Sequence, residues 1–140
     1  MTVQEVKWRL REIRSMKLKI KTLEQSKDAA WVRATKITPR MDPTGIRSTS
    51  EHDLMSQYLI DVDDLNQEII KAKQEVRQVE HKIFNLEDPR YVAVLHCYYI
   101  DAMTWDQTAL VLHYSTQHLR RLHGRALQAF ATMLTEDATK

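Results

Sequence analysis

The stretch TALVLHYSTQHLRRLHGRAL, residues 108–127, sets an apolar stripe, a polar turn and a run of His and Arg side by side. Thr108, Ala109 and Leu112 have the spacing of the inward side of a short helix. Residues 113–115 (HYS) then have the length of a turn between two crossing helices, and Ser115 is a good N-cap for a further helix. The stretch therefore predicts two helices joined by a tight turn.

The helix after the turn has a predicted buried stripe formed by Leu119, Leu122, Ala126 and Phe130. A short helix, a turn and a longer helix describe a helix-turn-helix, whose second helix enters the DNA major groove. If the leucines face inward, the outer N-terminal part carries Thr116, Gln117, His118, Arg120 and Arg121. Gln can pair with adenine, Arg with guanine, and Thr with the thymine methyl or a phosphate. The alternative is an amphipathic surface helix with solvated arginines, and periodicity alone leaves both open.

Start signals for two earlier helices precede this stretch. Asp88 followed by Pro89 indicates an N-cap with proline at the first helical position. Thr104 and Gln107 match the capping box and predict a helix from Trp105 to about Leu112. The helix between them has a broad apolar face made of Val92, Val94, Leu95, Tyr98, Tyr99 and Ile100.

Further upstream, the chain reads as a long helix from about Ser50 to Leu86. Its apolar residues are spaced four and three apart, which is typical of a coiled-coil seam: Tyr58, Val62, Leu65, Ile69, Ala72, Val76, Val79, Ile83 and Leu86. At roughly 1.5 Å per residue such a helix is about 55 Å long and needs a partner of similar length.

The first helix offers that partner through a less regular stripe, which Lys17 interrupts: Val3, Val6, Leu10, Ile13, Ile20 and Leu23. Residues 1–47 hold twelve Lys and Arg against five Asp and Glu, whereas residues 48–88 hold four against ten. A basic helix and an acidic helix separated by a Pro-containing loop at about residues 35–49 suggest an antiparallel hairpin, or the same pairing exchanged between two chains.

The basic face of the first helix admits two interpretations. It either binds DNA phosphates or an anionic membrane, or it is a solvated face that complements the acidic helix. Its residues are Lys7, Arg9, Arg11, Arg14, Lys17, Lys19 and Lys21. Surface pairs of this kind stabilise a fold by only about 0.5 kcal/mol each, but they can select the partner and its direction.

Composition narrows the class of protein. Two glycines and three prolines in 140 residues, with 29% charged residues, indicate an all-α protein. We expect a long helical hairpin or coiled coil over residues 1–87 and a helix-turn-helix domain over residues 88–140. No apolar run reaches the length of a membrane span and the N-terminus lacks a signal peptide core, so a cytoplasmic location is expected.

Enzymatic and metal-binding readings find no support in the sequence. There is no Gly-rich phosphate loop, no HExxH, no paired Cys motif and no nucleophile with a base. The six histidines are scattered, and His118 and His123 diverge on a helix, so neither a metal site nor a cofactor is expected. The single Cys97 sits beside two tyrosines in an apolar stretch and reads as core packing.

The stretch from Thr104 to Leu127 resembles region 4 of bacterial sigma factors, the helix-turn-helix that reads the upstream promoter element. The matching pattern is Leu119-Arg120-Arg121-Leu122 followed by Arg125-Ala126-Leu127. More closely, LEDPRY, TWDQTA and YSTQHLRRLHGRAL, in this order behind a long charged helix, are similar to phage and prophage late-gene regulators related to the autolysin regulatory protein. The resemblance covers about residues 86–130 well and the N-terminal hairpin only in character.

The resemblance implies sequence-specific binding of double-stranded DNA that switches transcription in a bacterial host cytoplasm. The implied DNA contacts are Ser115, Thr116, Gln117, His118, Arg120, Arg121 and Arg125, the last touching the DNA backbone or a neighbouring protein. Region 4 also suggests contact with RNA polymerase, and the long helices suggest a homodimer. One departure is His113, where the family turn commonly has Gly. The other is that nothing resembles the sigma-factor segment that binds core polymerase and melts the promoter.

A phage packaging protein, such as a small terminase subunit, is the alternative function. Such proteins also join a helix-turn-helix to long oligomerising helices, but their DNA-binding part usually precedes those helices. They assemble into rings, whereas a regulator is a monomer or a dimer.

Overall fold

The structure, a computed structural model, describes residues 1–36 and 49–139, and each regular element in these ranges is helical. In chain order the elements are α1 (Val3–Lys36), α2 (Thr49–Phe84), α3 (Pro89–Leu95), a π-helical segment (His96–Ile100), α4 (Trp105–Leu112) and α5 (Thr116–Ala138). The predicted all-α fold is confirmed. The predicted loop at about residues 35–49 lies, apart from its ends, outside the described residues. Among the described helices, none is both long and apolar enough to span a bilayer.

The three predicted helix starts are present because each depends on a local cap. The Asp88 carboxylate accepts from the Arg90 amide at 2.9 Å, with Pro89 at the first helical position. Thr104 and Gln107 exchange the two hydrogen bonds of a capping box, at 3.0 and 3.1 Å. The Ser115 hydroxyl accepts from the His118 amide at 3.2 Å. These bonds satisfy amide groups that have no partner within the helix.

The chain forms two compact units, and both long helices are divided between them. The larger unit comprises Met1–Leu18 and Lys73–Lys140, and the smaller unit comprises Lys19–Ala72. The start of α1 and the end of α2 therefore belong with α3, α4 and α5.

In the smaller unit, α1 and α2 pair within one chain. The Lys27 ammonium donates to the Asn66 side-chain oxygen at 3.2 Å. Apolar side chains from both helices are buried here, namely Ile20, Ala30, Ala34 and Ile69. The hairpin is thus formed within one chain in this unit, and Ile69 is the one seam residue of residues 53–72 that is fully buried.

The core of the larger unit joins its three C-terminal helices. Val94 of α3, Ala109 of α4, and Leu119 and Leu122 of α5 form one buried cluster. Partly buried side chains pack against it, namely Tyr91, Trp105, Leu112 and Tyr114. Further along α5, Ala126 and Phe130 are buried too, which confirms the predicted stripe. The start of α1 and the end of α2 contribute further buried residues, namely Val6, Leu10, Ile13, Val76, Val79 and Ile83.

The π-helical segment was not predicted, and it changes how the chain enters α4. The Asp101 amide donates to the His96 carbonyl at 2.9 Å and the Met103 amide to the Cys97 carbonyl at 3.1 Å. Ala102 between them has a φ of 57°, the left-handed conformation that commonly ends a helix. The helix therefore ends abruptly, and Ala102 lies three residues before the start of α4.

Candidate nucleic-acid interface

The turn between α4 and α5 closes without glycine. His113 takes the left-handed conformation, with a φ of 61°, and the Tyr114 amide donates to the Ala109 carbonyl at 3.0 Å. This six-residue hydrogen bond is the Schellman ending of a helix. His113 therefore takes the conformation for which Gly is commonly used, at the steric cost that a left-handed non-Gly residue carries.

All predicted DNA-contacting residues are exposed, and they lie between the N-cap of α5 and its third turn. These residues, hereafter the polar face of α5, are Ser115, Thr116, Gln117, His118, Arg120, Arg121 and Arg125. Ser115 caps the helix, and the His118 ring lies edge-on to Tyr114 with 4.9 Å between ring centroids. The side chains of Gln117, Arg120 and Arg121 form neither a hydrogen bond nor an ion pair with any residue that the structure describes. They remain available to a ligand.

The opposite side of α5 holds this face in place. Leu119 and Leu122 are fully buried against α3 and α4, so the helix cannot rotate without opening the core. Because the first amide groups of a helix lack internal partners and carry partial positive charge, the N-terminus of α5 adds to the attraction for an anion. The arrangement combines amide, imidazole and guanidinium donors on a fixed helix end.

A buried polar pair lies beneath the polar face. The Tyr99 hydroxyl and His123 Nε2 share a hydrogen bond of 2.7 Å, and Trp105 lies edge-on to the imidazole with centroids 4.7 Å apart. Burial, followed by the charges of Lys7 and Arg11, lowers the pKa of His123 to about 4. Burial also raises the pKa of Tyr99, so both groups are neutral at pH 7. The sequence indicates that His123 is buried, because it follows the buried Leu119 by four residues and so lies on the same side of α5.

His123 makes the stability of the fold depend on pH. In the unfolded chain it titrates near 6.5 but in the fold only near 4, so the unfolded state binds more protons between these values. Its contribution is complete above pH 6.5 and is lost as the pH falls toward 4. The free energy of unfolding should fall with a slope of up to about 1.4 kcal/mol per pH unit. Denaturant melts of His123→Gln should show a flatter slope, and those of exposed His118→Gln should not. An unaltered slope in His123→Gln would assign the pH dependence to other groups.

Arg14 departs from the predicted basic face of α1. Its guanidinium donates to the carbonyls of Tyr98 at 2.7 Å and Met103 at 2.9 Å, and lies 4.4 Å from the centroid of the Tyr98 ring. The other side of that ring stacks on Trp105, with centroids 4.1 Å apart. Arg14 therefore joins α1 to the end of the π-helical segment and the entry to α4, and it is a structural residue.

His96 lies between two carboxylates, and Cys97 is less buried than core packing predicts. The two ring nitrogens of His96 lie 3.2 Å from carboxylate oxygens of Glu80 and Asp101, and the ring stacks on Phe84. Cys97 is only partly buried, and that burial raises the pKa of its thiol. Within the described ranges, no group of three or more His, Cys, Asp or Glu side chains is placed to hold a metal ion.

Comparison with known proteins gives one family match. Residues 36–130 match the model of a family described as "Protein of unknown function (DUF1492)". The matched region runs from the end of α1 through α2, α3 and α4 and into α5, and so includes the whole polar face. No curated protein and no solved structure matches the chain. Since the match covers about two thirds of the sequence, the chain belongs to the DUF1492 family.

Proposed function

We propose that the protein is a sequence-specific DNA-binding regulator of transcription, acting on phage or prophage late genes in the host cytoplasm. One observation carries the proposal: a short helix, a tight turn and a longer helix present, at the start of the second helix, Gln and Arg side chains that have no partner among the described residues. Leu119 and Leu122 hold that helix against the core. This is the arrangement that a helix-turn-helix uses in the major groove.

The residue types on the polar face assign roles for DNA binding. Gln117 is suited to pair with adenine, and Arg120 and Arg121 are suited to bidentate contact with guanine. Ser115 and Thr116, beside the free amides of the helix end, are suited to phosphate oxygens. Arg125 lies two turns into α5, where it can reach the DNA backbone or a neighbouring protein.

We also propose that two chains pair through the long helices. In the smaller unit, three large apolar side chains are exposed, namely Trp31 at 52%, Leu59 at 43% and Ile70 at 44%. Residues 19–36 hold five Lys and Arg against two acids, and residues 49–72 hold one against six. A two-fold axis parallel to the helices would set the basic helix of one copy against the acidic helix of the other. A dimer would present two reading helices to two half-sites.

Contact with RNA polymerase is a further part of the proposed function. The resemblance to sigma-factor region 4 motivates it, and α4 adds an exposed apolar pair, with Leu110 77% and Val111 51% exposed. Transcription from a bound promoter with purified polymerase holoenzyme tests this contact. An unaltered transcript level would confine the protein to DNA binding without activation.

Selection of bound duplexes from a random pool, using the purified full chain, tests the proposed function. Enrichment of one short motif, with affinity that falls steeply as salt rises, is the expected result. Salt-sensitive binding without any enriched motif would contradict sequence-specific regulation. The mass of the particle in solution provides a second readout, since a ring of many copies would favour a packaging protein over a regulator.

A further inference from the structure

The basic residues at the start of α1 fall into two groups. Arg14 is held by two carbonyl groups and an aromatic ring. Arg9 forms an ion pair with Glu12 at 3.2 Å, within α1 itself. Lys7 and Arg11, in contrast, form no hydrogen bond or ion pair with any residue in the described part of the chain. Their charges therefore have no assigned structural use.

The spacing of these residues shows where the unpaired charges lie. Lys7, Arg11 and Arg14 are four and three residues apart, so they share one side of α1. Arg14 anchors that side at Tyr98 and Met103. The start of α1 also lies against α5, because the Met1 ammonium donates to the Thr135 hydroxyl at 3.1 Å. Lys7 and Arg11 are in addition near enough to His123 for their charges to lower its pKa.

The side of α5 that borders α1 leads directly to the polar face. Thr116, Arg120 and His123 are four and three residues apart, so they follow one edge of the helix. His123 is buried at the inner part of this edge, whereas Thr116 and Arg120 are exposed. Lys7 and Arg11 thus extend the positive charge of the polar face sideways onto a second helix.

Like charges on adjacent helices repel one another, and no described carboxylate pairs with Lys7, Arg11 or Arg120. An anion shared between the helices would remove that repulsion. The DNA backbone supplies regularly spaced anions beside the groove that a reading helix occupies.

Building on the proposed DNA-binding function, we propose that Lys7 and Arg11 bind phosphates of the DNA backbone that flank the groove occupied by α5. They contribute affinity and position without reading bases. The start of α1 is then a second element of the DNA interface, attached to the first through Arg14.

The test measures operator affinity of the full chain over a salt series for Lys7→Gln, Arg11→Gln and the double variant. Each lost phosphate contact should reduce the slope of log affinity against log salt by about 0.9, so the double variant should lose about 1.8. Its affinity near 0.1 M salt should fall on the order of tenfold or more. The preferred sequence should remain the same, because no base contact is removed.

Arg9→Gln is the matched control, since it removes the same charge from the same helix but from the side that pairs with Glu12. It should leave the salt slope almost unaltered, and thermal melts of all variants should show an intact fold. If Arg9→Gln lowered the salt slope as much as Lys7→Gln or Arg11→Gln, the effect would come from the total charge of the chain, and the proposal would be overturned. An unaltered slope in the double variant, or a changed sequence preference, would also overturn it.

The remaining outcomes separate this proposal from the one on which it rests. If the unaltered chain binds no duplex DNA, both fail. If it binds DNA with the slope unaffected by Lys7 and Arg11, and these variants instead lose binding to anionic phospholipid vesicles, only the phosphate-backbone assignment fails and the basic side of α1 is a membrane surface.

Discussion

Replacing Arg120 or Arg121 with alanine is expected to weaken binding to the selected DNA sequence by roughly 5- to 150-fold, or about 1 to 3 kcal/mol. The guanidinium groups are exposed and unpaired among the described residues, and the buried leucines beside them hold their helix in one orientation. Because each would contact one guanine, the loss should be concentrated at one position of the site and should relax the preference there.

Fluorescence anisotropy with the selected duplex and with single-base variants of it measures this effect. Arg77→Ala is a suitable control, since Arg77 is also exposed but lies on α2. A uniform loss on every sequence would make the arginine a phosphate contact. Unaltered affinity in both arginine variants would remove α5 as the reading helix.

Replacing the neighbouring residues Ile69 and Ile70 with aspartate is expected to change different properties, namely stability for Ile69 and assembly for Ile70. Ile69 is 4% exposed inside the hairpin, so Ile69→Asp buries an uncompensated charge and should lower the free energy of unfolding by about 3 kcal/mol or more. Ile70 is 44% exposed, so Ile70→Asp should leave the hairpin folded. It should instead separate the proposed dimer and weaken operator binding on the order of a hundredfold, because the second half-site contact is lost.

Denaturant melts and mass measurement in solution distinguish the two effects. From the coiled-coil spacing alone, replacing Leu65 and Ile69 together with Asp would be the change chosen to separate two chains. Since Leu65 is partly buried and Ile69 is buried within a single chain, that change tests the hairpin, and Ile70 is the better probe of assembly. If Ile70→Asp keeps the mass of the unaltered protein, the surface around Ile70 is not the assembly surface.

How much of the molecule can be predicted depends on how local the cause is. The starts of α3, α4 and α5 are set by caps within three residues, and these positions were predicted correctly. The buried residues of α5 are spaced three or four apart, about one helical turn, and this stripe was also predicted. The π-helical segment has no comparable sequence signal, because its wide hydrogen bonding replaces an ordinary turn without a breaking residue inside it.

The role of Arg14 illustrates what the sequence leaves open. An arginine on a helix surface has the same local sequence whether it faces solvent, a phosphate or the carbonyls of a distant segment. Its partners here are 84 and 89 residues away. The same reason applies to the coiled-coil pattern, which indicates that a long helix has a partner but does not say where along it one compact unit ends.

The Arg14 contact has a consequence for the ancestry of the chain. The two carbonyls that Arg14 binds belong to the segment immediately before α4. Residue 14 therefore belongs to the same structural unit as α4 and α5. A recombination event that transferred only residues 88–140 between relatives would leave Tyr98 and Met103 facing whatever stood at the equivalent of position 14. Under the proposed function, inheritance of a DNA-binding end therefore favours keeping both ends of the chain together.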